Sequence, residues 1–518
     1  MTTVSEVDGR AEREEDGSAV VWVGNIERIY RMSWAIGIRL RPGSAAIETE
    51  VRLANRGSLP HPYYFWQNAA IAARDDLRMI YPGTRVHTWG PPRKWPIHEG
   101  KDISRYTAYE RANDVFILDS LEDFFGVYYE EQDCGLVHVA NVHECFGKKF
   151  FTWGTADHGK VWSEALSDGD GPYCEIQSGR FVDQGIWRLM PPHHGERWLE
   201  WWYPVRGTGG FSRANREAAV RLTGRNGRVE CGVAVTRAFP GSTVRVTVEG
   251  RAVHEARVDL APDQPFRLDL RREKDWPSGP PTLELFAAGG KEIISYTEGQ
   301  APLTVAVSES KPAATEKGEQ SAGELLRDGL HAEEKAEPER AKELYGKALE
   351  QDPGCVEASL ARGRLTLESN PPEAAEQLTK TTAQAPESAE AAYYLGVALA
   401  RSGRREEAET ALWRAAHRPE MAHAARVELG ALALQRGDWE DAVEVLRSSL
   451  DYAAGDVRAR CLLAAALRRG GRLKEAMAEI AAVQEGSPLD RLAAAEAHFC
   501  AAALGRPRVA ARHLNELG

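Results

Sequence analysis

"LGVALARSGRREEAETAL" occupies residues 395–412. It is an apolar helical turn, a glycine break, and a second helix that opens on charges. The design returns at a fixed step. Leu395-Gly396 is followed 34 residues later by Leu429-Gly430, and Leu463-Ala464 comes at the same interval. Alanines keep the phase at Ala374, Ala408, Ala442 and Ala476, inside the similar stretches EAAEQL, EAETAL, DAVEVL and EAMAEI. Glycine turns written RSGRREEA, QRGDWEDA and RGGRLKEA separate the helices of each pair. A period of this length means stacked supersecondary units, because one helical hairpin cannot cover its own apolar face. Small residues in phase let neighbouring helices approach closely.

The pattern resembles the tetratricopeptide repeat, over residues 324–518 and about five repeats. "DPG" at 352–354 and "APES" at 385–388 fit the turn between repeats. The resemblance implies an all-α solenoid serving as a scaffold or as a peptide groove for a protein partner. Tyr393, Tyr394, Trp413 and Trp439 are the aromatic candidates for that groove, with core packing as their other use.

Ahead of the repeats the composition changes twice. "VSESKPAATEKGEQSAG", within residues 306–323, has almost nothing to bury and is expected to be a flexible linker. Further upstream, eleven of the fourteen tryptophans fall before residue 210, where strand signals are dense. "AIETEVRLAN" alternates, with Ile47, Thr49, Val51 and Leu53 on one face and Glu48, Glu50 and Arg52 on the other. The turns RPGS, YPGT and SDGDGP punctuate the rest. Residues 20–205 are expected to form an all-β domain. Residues 210–305 are expected to form a small second β-sandwich, with Val244, Val246 and Val248 alternating and no catalytic constellation. Residues 1–19 are polar and acidic without an apolar run, which predicts a disordered start and no secretory signal.

Bulk properties narrow the partners. A net charge of −12 disfavours nucleic acid and anionic membranes. No stretch reaches the ~18 apolar residues of a membrane span. Seven cysteines without a CxxC pair predict free thiols in a reducing, cytoplasmic setting, with no zinc site and no cofactor. The adjacent His193 and His194 face opposite ways on a strand and do not suit one metal ion.

The chemistry-bearing stretch is "YCEIQSGRFVDQ", residues 173–184. A strand sets Glu175 and Gln177 on one face. The residue types alone fit a solvated polar pair as well as an acid–base group. Indoles near turns, Trp66, Trp89 and Trp153 among them, suit stacking on sugar faces or the filling of a sandwich core.

Three stretches resemble the aldose 1-epimerase (mutarotase) superfamily: "LANRGSLPHPYYFWQNAA" at 53–70, "CEIQSGRFVD" at 174–183 and "RLMPPHHGERWLEWWYPV" at 188–205. The resemblance implies a galactose-mutarotase-like β-sandwich with a carbohydrate site. Glu175 would be its general base. Tyr64 stands where that family has its acid histidine, with His61 three residues earlier. Trp66, Asn68, Gln177, Trp153 and Asp183 would line the pocket. Only about sixty residues precede the aromatic run, so either a truncated or a reduced sandwich is expected. The whole arrangement is similar to bacterial proteins of unassigned function that are mutarotase-like in front and helical behind. The expected function is binding of a sugar or oligosaccharide, with hydrolysis or epimerisation left open. The alternative is a catalytically inert scaffold. Hydrolysis would need a second carboxylate, for which Glu144, Asp157 and Asp183 are candidates.

Overall fold

The computed structural model describes residues 6–307 and 320–515. The linker expected over 306–323 therefore lies outside the described residues at 308–319. The front of the chain is a pair of antiparallel sheets. One has eight strands in the order Asp8–Arg13, Ala19–Ile26, Ser33–Leu40, Ile47–Asn55, His194–Arg206, Cys134–Ala140, Phe124–Tyr129 and Leu77–Ile80. The other has six, ordered Trp66–Ala72, Tyr173–Gly179, Gly147–Thr152, Asn113–Ile117, Arg85–His87 and Arg93–Lys94. Their facing sides form a common core. Met79, Phe125, Val127 and Trp202 meet Val115, Ile117, Phe150 and Ile176.

Two expectations need correction here. Of the disordered start expected over residues 1–19, the part described, from residue 6 on, is ordered: Asp8–Arg13 is an edge strand, paired with Ala19–Ile26 from Asp8↔Gly24 to Arg13↔Ala19. Charges that look like a polar tail are ion-pair partners instead. Glu14 bonds Arg39 at 2.8 Å, and Asp16 bonds Arg41 at 3.2 Å. The domain is also not purely β, since Asp157–Leu166 is a helix with Asp157 in its first turn. In "AIETEVRLAN", Thr49, Val51 and Leu53 are buried as the alternation predicts, while Ile47 is exposed. Glu48 and Glu50 on the opposite face are buried too. They pair with Arg39 at 2.7 Å and Arg52 at 2.5 Å, respectively.

One buried carboxylate ties the two sheets together. Glu200, on the His194–Arg206 strand, accepts from Trp198 Nε1 at 2.8 Å and His138 Nε2 at 2.7 Å on its own sheet. From the facing sheet it accepts from Gln67 Nε2 at 2.7 Å and Ser178 Oγ at 2.6 Å. Burial raises its pKa, but these donors, His138 first, outweigh it and hold the group below the ordinary carboxylate value. Burial also keeps His138 neutral, which places its single proton on Nε2. Lys148 is the opposite case. Its ammonium is buried with no hydrogen-bond partner, and burial lowers its pKa to about 8.

The second β unit follows as expected, with two four-stranded sheets spanning Arg213–Thr297. Val244, Val246 and Val248 are fully buried. Behind it, twelve helices among the described residues form six hairpins, one more than the period suggested. The first is Ala322–Glu334 with Pro338–Gln351, and the last is Arg491–Ala503 with Pro507–Asn515. The phased glycines are contact points. A Cβ on Gly396 would lie 2.6 Å from Leu412, and one on Gly430 would lie 2.5 Å from Leu446. A leucine of the second helix thus seats on the bare backbone of the first.

The inner row of repeat helices is not an open groove. The chain's own β domain covers it. Leu59 belongs to the same apolar cluster as Tyr393, Tyr394 and Leu429. Tyr393 donates to the Ser58 carbonyl at 3.1 Å, and His193 meets Glu428 at 2.6 Å. Arg56 pairs with Asp490 at 2.5 Å, and Arg491 pairs with Asp8 at 2.5 Å. At the other end Arg188 pairs with Glu334 at 3.3 Å. Trp413, by contrast, stays partly exposed beside His417, and Trp439 lies under Arg469.

Two outcomes follow from these buried charges. Glu200→Gln turns an NH2 group toward donors. It should lower the unfolding free energy of the β domain by about 3 kcal/mol, as read by urea denaturation followed by tryptophan fluorescence, whereas Lys148→Met should be neutral or stabilising. Glu428 supplies the pH dependence. Burial raises its pKa, but the bond to His193 dominates together with Ser58 and Arg458, and the folded value drops from 4.5 to about 2. A depressed carboxylate stabilises the fold above its unfolded pKa and loses that contribution as pH falls toward the folded value. Glu428→Gln should therefore lower Tm at neutral pH, and its difference from the parent should fade between about pH 4.5 and pH 2 on calorimetry.

Candidate functional site

The Tyr173–Gly179 strand alternates strictly. Cys174, Ile176 and Ser178 point into the sandwich, and Glu175 and Gln177 point outward. Its neighbours are registered so that Asn68 lies beside Gln177 and Ala70 beside Glu175 on one flank. Lys149 lies beside Gln177 and Phe151 beside Glu175 on the other. One strand further, Phe116 is paired with Lys149 and Asp114 with Phe151, and beyond them His87 is paired with Phe116. Period-2 geometry thus gathers a carboxylate, two amides, a lysine, a second carboxylate and an imidazole on one outward face.

These groups are bonded into a network. Gln177 Nε2 donates to Glu175 Oε2 at 2.7 Å. Gln184 Nε2 donates to Gln177 Oε1 at 3.1 Å, and Gln184 Oε1 accepts from Lys149 Nζ at 2.8 Å. Lys149 also meets Asp114 Oδ1 at 2.6 Å, and Asp114 Oδ2 accepts from Trp89 Nε1 at 2.5 Å. Asp183 sits 3.3 Å from His87 Nε2 and accepts from the Gly185 N–H at 2.7 Å. Burial pushes Asp183 upward, but His87 and the backbone donors outweigh it and leave its pKa lowered. Glu175 goes the other way. Burial raises its pKa, and Gln177, Lys149 and Asn68 only partly offset that.

Aromatic rings frame the polar groups. Lys149 Nζ lies 5.1 Å from the Phe116 ring and 5.6 Å from Phe151. His87 stacks on Phe116 at 4.9 Å, and Trp89 and Trp66 meet the same ring edge-on at 5.1 and 5.8 Å. Trp89 is 56% exposed. Trp66 lies flat on the sheet because Gly147 and Gly179 leave room for it. A Cβ at those positions would come within 2.6 and 2.3 Å of the indole.

Of the residues named from sequence, Glu175, Gln177, Asn68, Trp66 and Asp183 share this face. Trp153 continues it beyond Phe151, where it stacks on Trp162 of the Asp157–Leu166 helix at 5.0 Å. Tyr64 instead packs on Trp187 at 4.7 Å. His61 belongs to a separate two-stranded pairing, is stacked on Tyr30 at 4.7 Å, and lines the boundary with the repeats. Glu144 and Asp157 are surface residues. Asp114, Gln184 and His87 complete the network with Lys149, and those three were not singled out from the sequence. "NDVFI", residues 113–117, carries the alternation that would have put Asp114 and Phe116 on one face. The loop with Asp183 and Gln184 is also held from behind, since Lys335 of the repeats donates to the Gly185 carbonyl and lies 5.8 Å from the Trp187 ring.

The Glu175 carboxyl should titrate above an ordinary glutamate when followed by carbon-13 NMR. Lys149→Met removes a charge that lowers it and should move the titration higher still.

Residues 1–205 match the model described as a domain of unknown function (DUF5107), and residues 213–296 match the YphG-like protein, second domain. Residues 368–422 and 433–498 match two tetratricopeptide repeat models. Among solved structures, the chain is similar to a TPR-domain containing protein from Parabacteroides distasonis, with 17% identity, 97% of this chain and 75% of that one covered, and a TM-score of 0.37. It is also similar to pilF of Pseudomonas aeruginosa, with 23% identity, 38% and 90% covered, and a TM-score of 0.35. The chain joins a DUF5107 domain at its front to C-terminal tetratricopeptide repeats, a module of protein–protein interaction.

Proposed function

We propose that the outward face of the six-stranded sheet binds a sugar or oligosaccharide, with Glu175 exchanging a proton with a sugar hydroxyl. The observation that carries this is the setting of Glu175. A carboxyl raised by burial stands among the amides of Asn68, Gln177 and Gln184, against an aromatic frame. Amides offer donors and acceptors to neighbouring hydroxyls, and exposed Trp89 offers a ring face to sugar C–H groups. A carboxyl shifted toward neutrality is suited to acid–base work. Epimerisation needs one base and one acid on a single ring. Hydrolysis needs two carboxylates; Asp114, held by Lys149, and Asp183, beside His87, are the two that could serve as the second.

A second reading, an inert scaffold, draws on the repeats. Their inner row holds the chain's own β domain, so a partner would meet the outer helices, where Trp413 is exposed.

Calorimetric titration with a panel of hexoses and oligosaccharides separates the two. The sugar reading expects saturable binding by the parent and, with the bound sugar as substrate, turnover that falls at least about 100-fold in Glu175→Gln while binding stays within a few-fold. Binding of no sugar would end it in favour of the scaffold. Turnover undiminished in Glu175→Gln would remove the role given to that residue.

A further inference from the structure

The boundary between the β domain and the repeats holds a cavity of about 330 Å³, none of whose lining residues belongs to the Glu175 face. Four arginines line it, Arg31 and Arg56 from the β domain and Arg401 and Arg458 from the repeats. The only carboxylate in the lining is Glu368. Of the four, Arg56 is neutralised by Asp490 at 2.5 Å. Arg31, Arg401 and Arg458 carry no ion pair or hydrogen bond among the described residues. The Nε atoms of both Arg56 and Arg458 are buried without a partner. Glu428 lies near Arg458 but is already engaged by His193. His61, in the same wall, is kept neutral by burial and the neighbouring arginines and adds no counter-charge.

Guanidiniums converging on one space repel each other, and burying unpaired donors costs free energy. Planar N–H forks match oxyanions in pairs, which is why arginine predominates where phosphate or carboxylate is held. The volume is at the small end of ligand pockets, ~300–1,000 Å³. We infer that this cavity is a binding site for a compact multivalent oxyanion, a phosphate monoester or a small polycarboxylate, that bridges the β domain and the repeats. Two arginines come from each side, so the bound anion would be shared between domains and would stabilise their docking. This site is independent of the sugar reading.

The test is thermal unfolding of the full chain with inorganic phosphate, a hexose 6-phosphate or citrate, each against sodium chloride at equal ionic strength. The expected result is a rise in Tm of about 2 °C or more with at least one oxyanion at concentrations well above Kd, abolished in Arg401→Gln/Arg458→Gln. Should that pair fail to fold, Arg31→Gln/Arg401→Gln, both exposed in the structure, should weaken the response at least several-fold. A response to phosphate and the phosphate ester alone assigns the phosphate class, and one to citrate alone assigns polycarboxylates. No rise beyond chloride, or a rise unchanged in the arginine variants, overturns the site.

Discussion

The Glu200 carboxylate sets the frame for the front domain. Its four donors come from both sheets, and two of them, Gln67 and Ser178, sit on the strands that carry the candidate site. On a strand, fixing one residue inward fixes its neighbours outward. Ser178 turned toward Glu200 leaves Gln177 and Gly179 facing out. Gln67 turned the same way leaves Trp66 and Asn68 facing out. A one-residue slip of either strand would strand a buried charge and push Glu175 into the core, so a single polar knot holds register and site together. Breaking such a knot from one side costs several kcal/mol because the remaining partners stay buried.

A different constraint governs the back of the chain. The repeats stack because Gly396 and Gly430 admit leucines where any Cβ would collide. Stacking alone leaves the inner row of helices bare, and the β domain supplies the cover. Leu59 enters the repeat core, and polar contacts run from the first hairpin at Glu334 to the last at Arg491. A protein-binding array has thus spent its inner face on its own chain, and the charges left over gather in the arginine-lined cavity.

Sequence periodicity exposed the repeats because a 34-residue step links Gly396, Gly430 and Ala464, and the two glycines seat Leu412 and Leu446 of the following helices. The extra hairpin lay outside that phased run. Alternation put Glu175 and Gln177 on one face, and the pairing register sets Asn68, named from the resemblance, beside Gln177. Asp114, Gln184 and His87 were out of reach for a physical reason. They join Glu175 only through strand pairings and a loop that no local pattern encodes. His61 is three residues from Tyr64 in sequence but belongs to a different pairing. The acidic start was misjudged because its carboxylates find arginines on the next strands, which turns an apparently solvated segment into a sheet edge.

The same loop links the front and back of the molecule. Residues 183–185 are gripped on one side by the site, through Gln184 on Gln177 and Lys149 and through Asp183 on His87. On the other side they are gripped by Lys335, at the end of the first repeat helix, through the Gly185 carbonyl and the Trp187 ring. The Gln184 side chain bonds both Lys149 and Gln177, which are already neighbours across the strand pair, and so it joins the Lys149–Asp114 ion pair to the Gln177–Glu175 hydrogen bond. The repeats thus hold the backbone next to Gln184 without contributing a side chain to the face.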